Sequence, residues 1–350
     1  MENFAHTLLG LTLAKAGLER ATPLATTTLI ISSNLPDIDV LSRFRGGTLS
    51  YLTYHRGFTH GFVGVAILAA ALAFVLVYID RRFRLRRDPF RRPIRPFRVF
   101  LLACLGGLGH VFMDFTNSYG VRPLMPFSDR WFYGDLAFVV DPWIWLMLGA
   151  AGVWLTARDP ARITFWASVG VLMGLLVATT LTEPTPDFPI KIPTAVRAVW
   201  FAGLAVIVLG ALLRWGRAGD SIARYALLAL ALYYGGMWIA GQEAQDKAAA
   251  SMPDAGARMP VTWPTPANPL LWQAVTSSDE FIYTRYVGLT GSQGEWRQAA
   301  ALDQRFLEAL RRSPDARAFL NFTRYPMATV QEREDGYTIA LRDARFDLRM

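Results

Sequence analysis

The chain has 350 residues, of which 53% are hydrophobic, 13% aromatic and only 18% charged, and its mean hydropathy is +0.25. Soluble domains carry roughly a quarter charged residues, so the composition points to a polytopic membrane protein and excludes disorder, a coiled coil and a disulfide scaffold. The formal charge of +8 is concentrated in residues 80–98, which hold nine arginines against Asp80 and Asp88, so a general affinity for nucleic acid is not expected.

The opening residues lack a basic n-region and His6 interrupts the first apolar run, so no cleavable signal peptide is expected. Segments 4–18 and 23–33 are apolar but shorter than the roughly 20 residues that cross a bilayer. They read as a helical hairpin, turned around Glu19-Arg20, that crosses only in part. Six full spans are predicted after it, at 58–79, 99–113, 142–157, 163–182, 198–213 and 225–242. The single cysteine, Cys104, lies in the second of these, which excludes an intramolecular disulfide. Gly106-Gly107 and Gly235-Gly236 suit close helix packing in lipid, and Trp and Tyr near several span ends suit the interface. Basic residues in short loops stay cytoplasmic. The arginine segment is therefore expected inside, together with Arg158, Arg162, Arg214, Arg217 and Arg224, and the acidic segment 183–187 outside.

That orientation delivers residues 243–350 to the outer face. The predicted organisation is a mainly α polytopic helix bundle over 1–243, a Pro- and Ala-rich linker over 244–269, and a small α+β domain over 270–350. Within that domain 281–289 reads as a strand and 295–312 as an amphipathic helix, and Asp335-Gly336 reads as a hairpin turn between 329–334 and 337–343. It carries no catalytic motif and reads as a cap or partner surface.

All four histidines lie at 6, 55, 60 and 110, accompanied by Asp37, Asp39 and Asp114. Ionisable groups at membrane depth cost a few kcal/mol each and are rare without a role. His110 and Asp114 are four apart on an apolar helix, hence on one face. Imidazole with carboxylate suits Zn, Mn or Fe. Asp37 and Asp39 follow a helix-breaking Pro36, placed for ligation by one and for orienting or base duty by the other. His55-Arg56-Gly57-Phe58-Thr59-His60 adds two imidazoles around a glycine turn. The orientation fixed by the arginines brings His6, Asp37, His60, His110 and Asp114 to the outer layer together, as a one- or two-metal site requires. Asp135 and Asp141, in the next outer loop, are candidate peripheral participants.

Ala5-His6, Leu35-Pro36-Asp37-Ile38-Asp39, His55-Arg56-Gly57-Phe58-Thr59-His60 and Leu108-Gly109-His110 with Asp114, followed by Tyr119-Gly120-Val121-Arg122-Pro123, make residues 1–130 similar to the YdjM-like family. The resemblance implies a LexA-regulated, inner-membrane-associated, metal-dependent hydrolase. The family usually carries a serine after the second histidine of the HRGxTH motif, where this chain has Gly61.

The leading expectation is a hydrolase in the bacterial inner membrane, using one or two divalent ions, most simply Zn²⁺ with Mn or Fe as alternatives. His6, Asp37, His55, His60, His110 and Asp114 would be ligands, Asp39 a further ligand or the base, and Arg56 a partner for developing negative charge. An amphiphilic ester or phosphoester would be the substrate and membrane lipid the surroundings. The competing expectation is a metal-binding or transport protein built on the same cluster. A structural scaffold would leave the convergence of histidines and aspartates unexplained.

Overall fold

The computed structural model describes residues 1–184, 190–254, 256–291 and 294–346, so residues 185–187 of the acidic segment lie outside the described residues. The chain begins with two short helices, α1 (Asn3–Lys15) and α2 (Ala25–Ser32). At 1.5 Å per residue, 13 residues of α1 rise only about 20 Å, less than a bilayer core. A 3₁₀ segment, Leu35–Ser42, starts at the proline that closes α2 and leads into α3 (Arg43–Tyr54), which is broken at Gly46 and Gly47. A short turn, Phe58–His60, opens α4 (Phe62–Ile79), which runs through a π turn, Asp80–Arg84, into α5 (Leu85–Arg87). The chain returns along α6 (Pro96–Phe115), whose first turn accepts Pro96 because its N–H would be unpaired there anyway.

The expected glycine seam exists in α6. A methyl group at Gly107 would come within 2.8 Å of Val65 Cγ1 on α4, and one at Gly106 within 2.0 Å of Ser32 Oγ on α2. Gly235 and Gly236 do not form a second seam, because nothing lies within 4 Å of the position a side chain would take.

Four helices complete the bundle: α7 (Pro142–Thr156), α8 (Pro160–Thr179), α9 (Thr194–Leu212) and α10 (Asp220–Ala249). Of the six full spans expected, five are helices long and apolar enough to cross a membrane: Phe62–Arg87, Pro96–Phe115, Pro160–Thr179, Thr194–Leu212 and Asp220–Ala249. Pro142–Thr156 is apolar too but has only 15 residues. The long helices expose apolar side chains such as Val171, Leu175, Val208 and Leu212. Such faces suit contact with lipid. Leu8, Met113, Ile144 and Leu148 join α1, α6 and α7 in the main core.

The stretch expected to be a linker is structured at both ends. Ala244 and Ala248 keep α10 helical by packing on Trp272 and Ala274, and a strand already begins at Val261. β1 (Val261–Thr265), β2 (Asn268–Ser277), β3 (Phe281–Gly288) and β4 (Arg297–Ala300) form an antiparallel meander. The helix expected over 295–312 is therefore divided. Its first part pairs with β3 as an edge strand, and only α11 (Gln304–Arg312) is helical, its N-terminus capped by Asp303. α12 (Pro314–Phe322) and the hairpin of β5 (Pro326–Arg333) and β6 (Gly336–Asp343) follow, the turn using the positive φ of Gly336.

The arginine segment lies at one end of the antiparallel α4–α6 hairpin. The opposite end carries the histidines and the C-terminal domain. There Arg345, buried, donates to Ser118 O at 3.0 Å and Tyr119 O at 3.2 Å, and Arg324 donates to Asp135 Oδ2 at 2.9 Å.

Candidate metal centre

Four parts of the chain meet at that end. α6 presents His110 and Asp114 from its buried face, one turn apart, and the 3₁₀ segment presents Asp37 and Asp39. The loop between α3 and α4 brings His55, Arg56 and His60, and α1 brings His6. His6, His60, His110 and Asp114 are each 0% exposed.

The backbone dictates which nitrogens are free. His110 Nδ1 lies 2.8 Å from Ser33 O. A carbonyl only accepts, so the proton is on Nδ1 and Nε2 offers its lone pair. His60 Nδ1 lies 3.2 Å from Asp39 Oδ2, which selects the same tautomer. The two Nε2 atoms then face each other at 3.1 Å. Asp37 Oδ1 is 3.4 and 3.5 Å from them, and Asp114 Oδ2 3.2 and 3.4 Å.

One ligand atom from each of Asp37, His60, His110 and Asp114 lies within 4.8 Å of the others. Four lone pairs aimed at one another repel unless a cation or a shared proton sits among them, and the donor set is one that suits Zn, Mn or Fe. Both nitrogens of His6 and Asp114 Oδ2 are buried without a hydrogen-bond partner, a condition rare in folded proteins. His6 stacks on His110 at 3.7 Å, with its Nε2 3.4 Å from Asp114 Oδ1. These residues fit a divalent ion. A second group, Asp37, Asp39 and His55, shares Asp37 with the first.

Asp39 stands behind the imidazoles. Its Oδ1 accepts from His55 Nδ1 at 2.8 Å, and its Oδ2 accepts from Arg56 N at 3.1 Å and Thr59 Oγ1 at 2.9 Å. Burial alone would raise its pKa, but the hydrogen bonds from His55 and His60 outweigh burial and hold it below the usual carboxylate range. These bonds place Asp39 to orient the two histidines, and Oδ1, which accepts one hydrogen bond, keeps a lone pair. Burial lowers His55 and favours its neutral, ligating form.

Arg56, expected beside the site as a partner for developing negative charge, is held through both Nη atoms, while its Nε is buried without a partner. Its Nη2 is 3.0 Å from Asp114 Oδ1, and its Nη1 donates to Asn117 Oδ1 at 2.9 Å, Gly120 O at 3.2 Å and Asp114 O at 3.3 Å. Its φ of 55° is a left-handed conformation that costs of order 1–3 kcal/mol in a residue other than glycine. These bonds, and the stacking of the guanidinium on Tyr119 at 4.4 Å, hold it there. At Gly61 a Cβ would lie 2.6 Å from Met125 O, so the serine that the related sequences carry has no room on this backbone.

Asp135 and Asp141 do not join the cluster. Asp135 pairs with Arg324, and Asp141 caps α7 through Trp143 N and accepts from Tyr233 Oη at 2.7 Å. The sequence reading gave no role to Ser33, Asn117 or Arg345, which hold the ligands and their loop through long-range contacts. Arg122 belongs with them, donating to Thr53 O at 2.7 Å and His55 O at 3.4 Å.

Residues 1–184 match the sequence profile described as YdjM inner membrane protein. The chain is also 28% identical over 148 residues to the uncharacterized protein YfhP of Bacillus subtilis (strain 168), an alignment that covers 41% of this chain and 41% of that protein. The chain thus spans about two fifths of the length of that curated relative. No solved structure matches the chain.

Proposed function

This chain belongs to the YdjM inner membrane protein family, and on that premise we propose that it is a divalent-metal-dependent hydrolase acting on an amphiphilic ester or phosphoester. The observation that carries the reading is the convergence of Asp37, His60, His110 and Asp114 with two imidazoles locked in the ligating tautomer. These four would hold one ion with His6 beside them, and Asp37, Asp39 and His55 a second. When bound, the ion supplies Lewis acidity and a water of lowered pKa, with Zn²⁺ the simplest choice.

The chain's own residues do the remaining work. Asp39 fixes the rings of His55 and His60, and Arg56 holds Asp114 and keeps the 117–120 turn against it. The Asp37 side chain keeps 14% exposure while those of His60, His110 and Asp114 keep 0–1%. The cluster is therefore open to a substrate on the Asp37 side. The arginine segment is read as cytoplasmic, which puts the site and the C-terminal domain on the outer side of the inner membrane.

The test is a panel of lipid-like esters and phosphoesters offered to the purified protein. Cleavage that is abolished by chelation and restored by Zn²⁺ or Mn²⁺ is expected. Cleavage insensitive to chelators refutes the metal mechanism. Absence of cleavage together with cation flux in sealed vesicles replaces it with the transport reading.

A further inference from the structure

A groove of about 470 Å³ opens at the surface beside the metal cluster, between the start of α1 and the end of α2. Its size falls within the roughly 300–1,000 Å³ of small-molecule sites. Ile30, Ile31, Leu35 and Ile38 line it together with Asn3, Asn34 and Asp37. Asp37 is also the ligand candidate that keeps solvent access, 3.4 Å from His60 Nε2 and 3.5 Å from His110 Nε2. The groove thus meets the cluster at its most exposed member.

The lining says what class of molecule it takes. Asn34, a polar residue in the wall, spends its amide on Thr7 Oγ1 at 3.0 Å and Ile30 O at 2.9 Å, which leaves that amide committed within the protein. Outward, the groove runs into exposed apolar surface. Ile31 and Ile38 are 38% and 42% exposed, and Val40 and Leu41 continue the patch. In an inner-membrane protein an apolar surface of this kind faces acyl chains. The groove shares Ile31 and Ile38 with that apolar surface and Asp37 with the His/Asp cluster.

We infer that the groove is an acyl-chain subsite and that the substrate is a bilayer lipid, entering sideways from its leaflet with its chain along Ile30, Ile31, Leu35 and Ile38 and its headgroup linkage at Asp37. The inference rests on the hydrolase reading above for what happens to that linkage, but occupancy of the groove by lipid is measurable by itself.

The experiment has two arms. In the first, the full chain in vesicles of phosphatidylethanolamine and phosphatidylglycerol is irradiated with a phospholipid carrying a diazirine in its acyl chain, and labelled peptides are counted by mass spectrometry. Labelling of 30–38 is expected to exceed that of the lipid-facing Val171–Leu172 surface of α8 several-fold. It is expected to fall in Ile31→Trp, whose ring fills the groove, while metal content by elemental analysis stays at the wild-type value. In the second, the wild-type protein is given one headgroup ester on chains of increasing length. Because each buried methylene strengthens binding about fourfold, kcat/KM is expected to climb by that factor per methylene until the groove is full.

Labelling of 30–38 no greater than that of α8 overturns the inference, whatever the activity. Cleavage indifferent to chain length overturns it too and leaves the hydrolase reading standing. Enriched labelling that Ile31→Trp removes, with no cleavage of any substrate, upholds the subsite and refutes the hydrolase.

Discussion

Asp39→Asn separates positioning from base catalysis. The carboxylate has four donors around it, with His55 Nδ1 on Oδ1 and Arg56 N, Thr59 Oγ1 and His60 Nδ1 on Oδ2. Asparagine fits the same space but has one oxygen. The Arg56 N–H cannot change its role, so the amide oxygen is drawn to the Oδ2 side and the NH₂ is left facing His55. His55 Nδ1 then has to accept, its proton moves to Nε2, and it ceases to be a ligand. The negative charge behind His60 is lost as well. Partners that orient metal-binding histidines are typically worth 10–100-fold in metal affinity, about 1.4–2.8 kcal/mol. A competition titration of the purified protein against a chromophoric chelator should therefore show a loss of that size. Stoichiometry should also fall if the second group of Asp37, Asp39 and His55 is filled in the wild type, and hydrolytic activity should drop in parallel. Wild-type affinity with activity reduced 10²- to 10⁴-fold, the usual contribution of a general base, would refute this reasoning and return Asp39 to the role of base.

Three further outcomes are expected. His110→Ala and Asp37→Ala should each lower bound metal, measured by elemental analysis, while membrane insertion stays near wild type, and stoichiometric metal in both would remove them from the ligand set. Single cysteines at Ser251 and Pro93 in a Cys104→Ala background should differ in intact cells, with position 251 labelled by an impermeant reagent and position 93 protected, and the reverse pattern would invert the proposed orientation. Burial raises the Asp141 carboxyl to about 6, so the folded state holds its proton more tightly than the unfolded chain and this group's contribution to stability falls as pH rises through about 4–6. Asp141→Asn keeps the cap on α7, and its thermal midpoint in detergent at pH 7 should equal or exceed the wild-type value, whereas a fall of several degrees would contradict the burial penalty.

The meeting of these histidines and aspartates was legible because each part of the cluster leaves a local trace. The i, i+4 pair His110 and Asp114 needs only helical periodicity, and Pro36 and Gly57 mark where the chain must leave a helix. The arginine segment, by naming one end of the α4–α6 hairpin, then named the other. Roles were less legible than membership. Whether Asp39 faces water or faces two imidazoles depends on a loop crossing of 16 and 21 residues, to His55 and His60, and Arg56 acquires its partners from residues 114–120. The edge strand Arg297–Ala300 was hidden for the same reason, since it is a strand through its pairing with β3. Gly235-Gly236 carried the sequence pattern of a seam without a helix opposite.

The grip of Arg345 on the 117–120 loop gives the molecule an order of maturation. A chain made from its N-terminus has inserted all its metal-binding segments long before residue 345 is synthesised. Until that residue arrives, the loop that backs Asp114 is held by Arg56 and by its pairing with residues 132–137, without the brace from the C-terminal domain. Arg345 is itself fixed by Asp343 Oδ2 at 2.6 Å and Phe322 O at 2.7 Å, so it takes up its position only when α12 and the final hairpin have folded. If the cluster holds an ion as proposed, its support is completed by a domain at the end of the bundle opposite the arginine segment. A nascent or clipped chain would then keep every candidate ligand yet lack this brace on the loop behind Asp114.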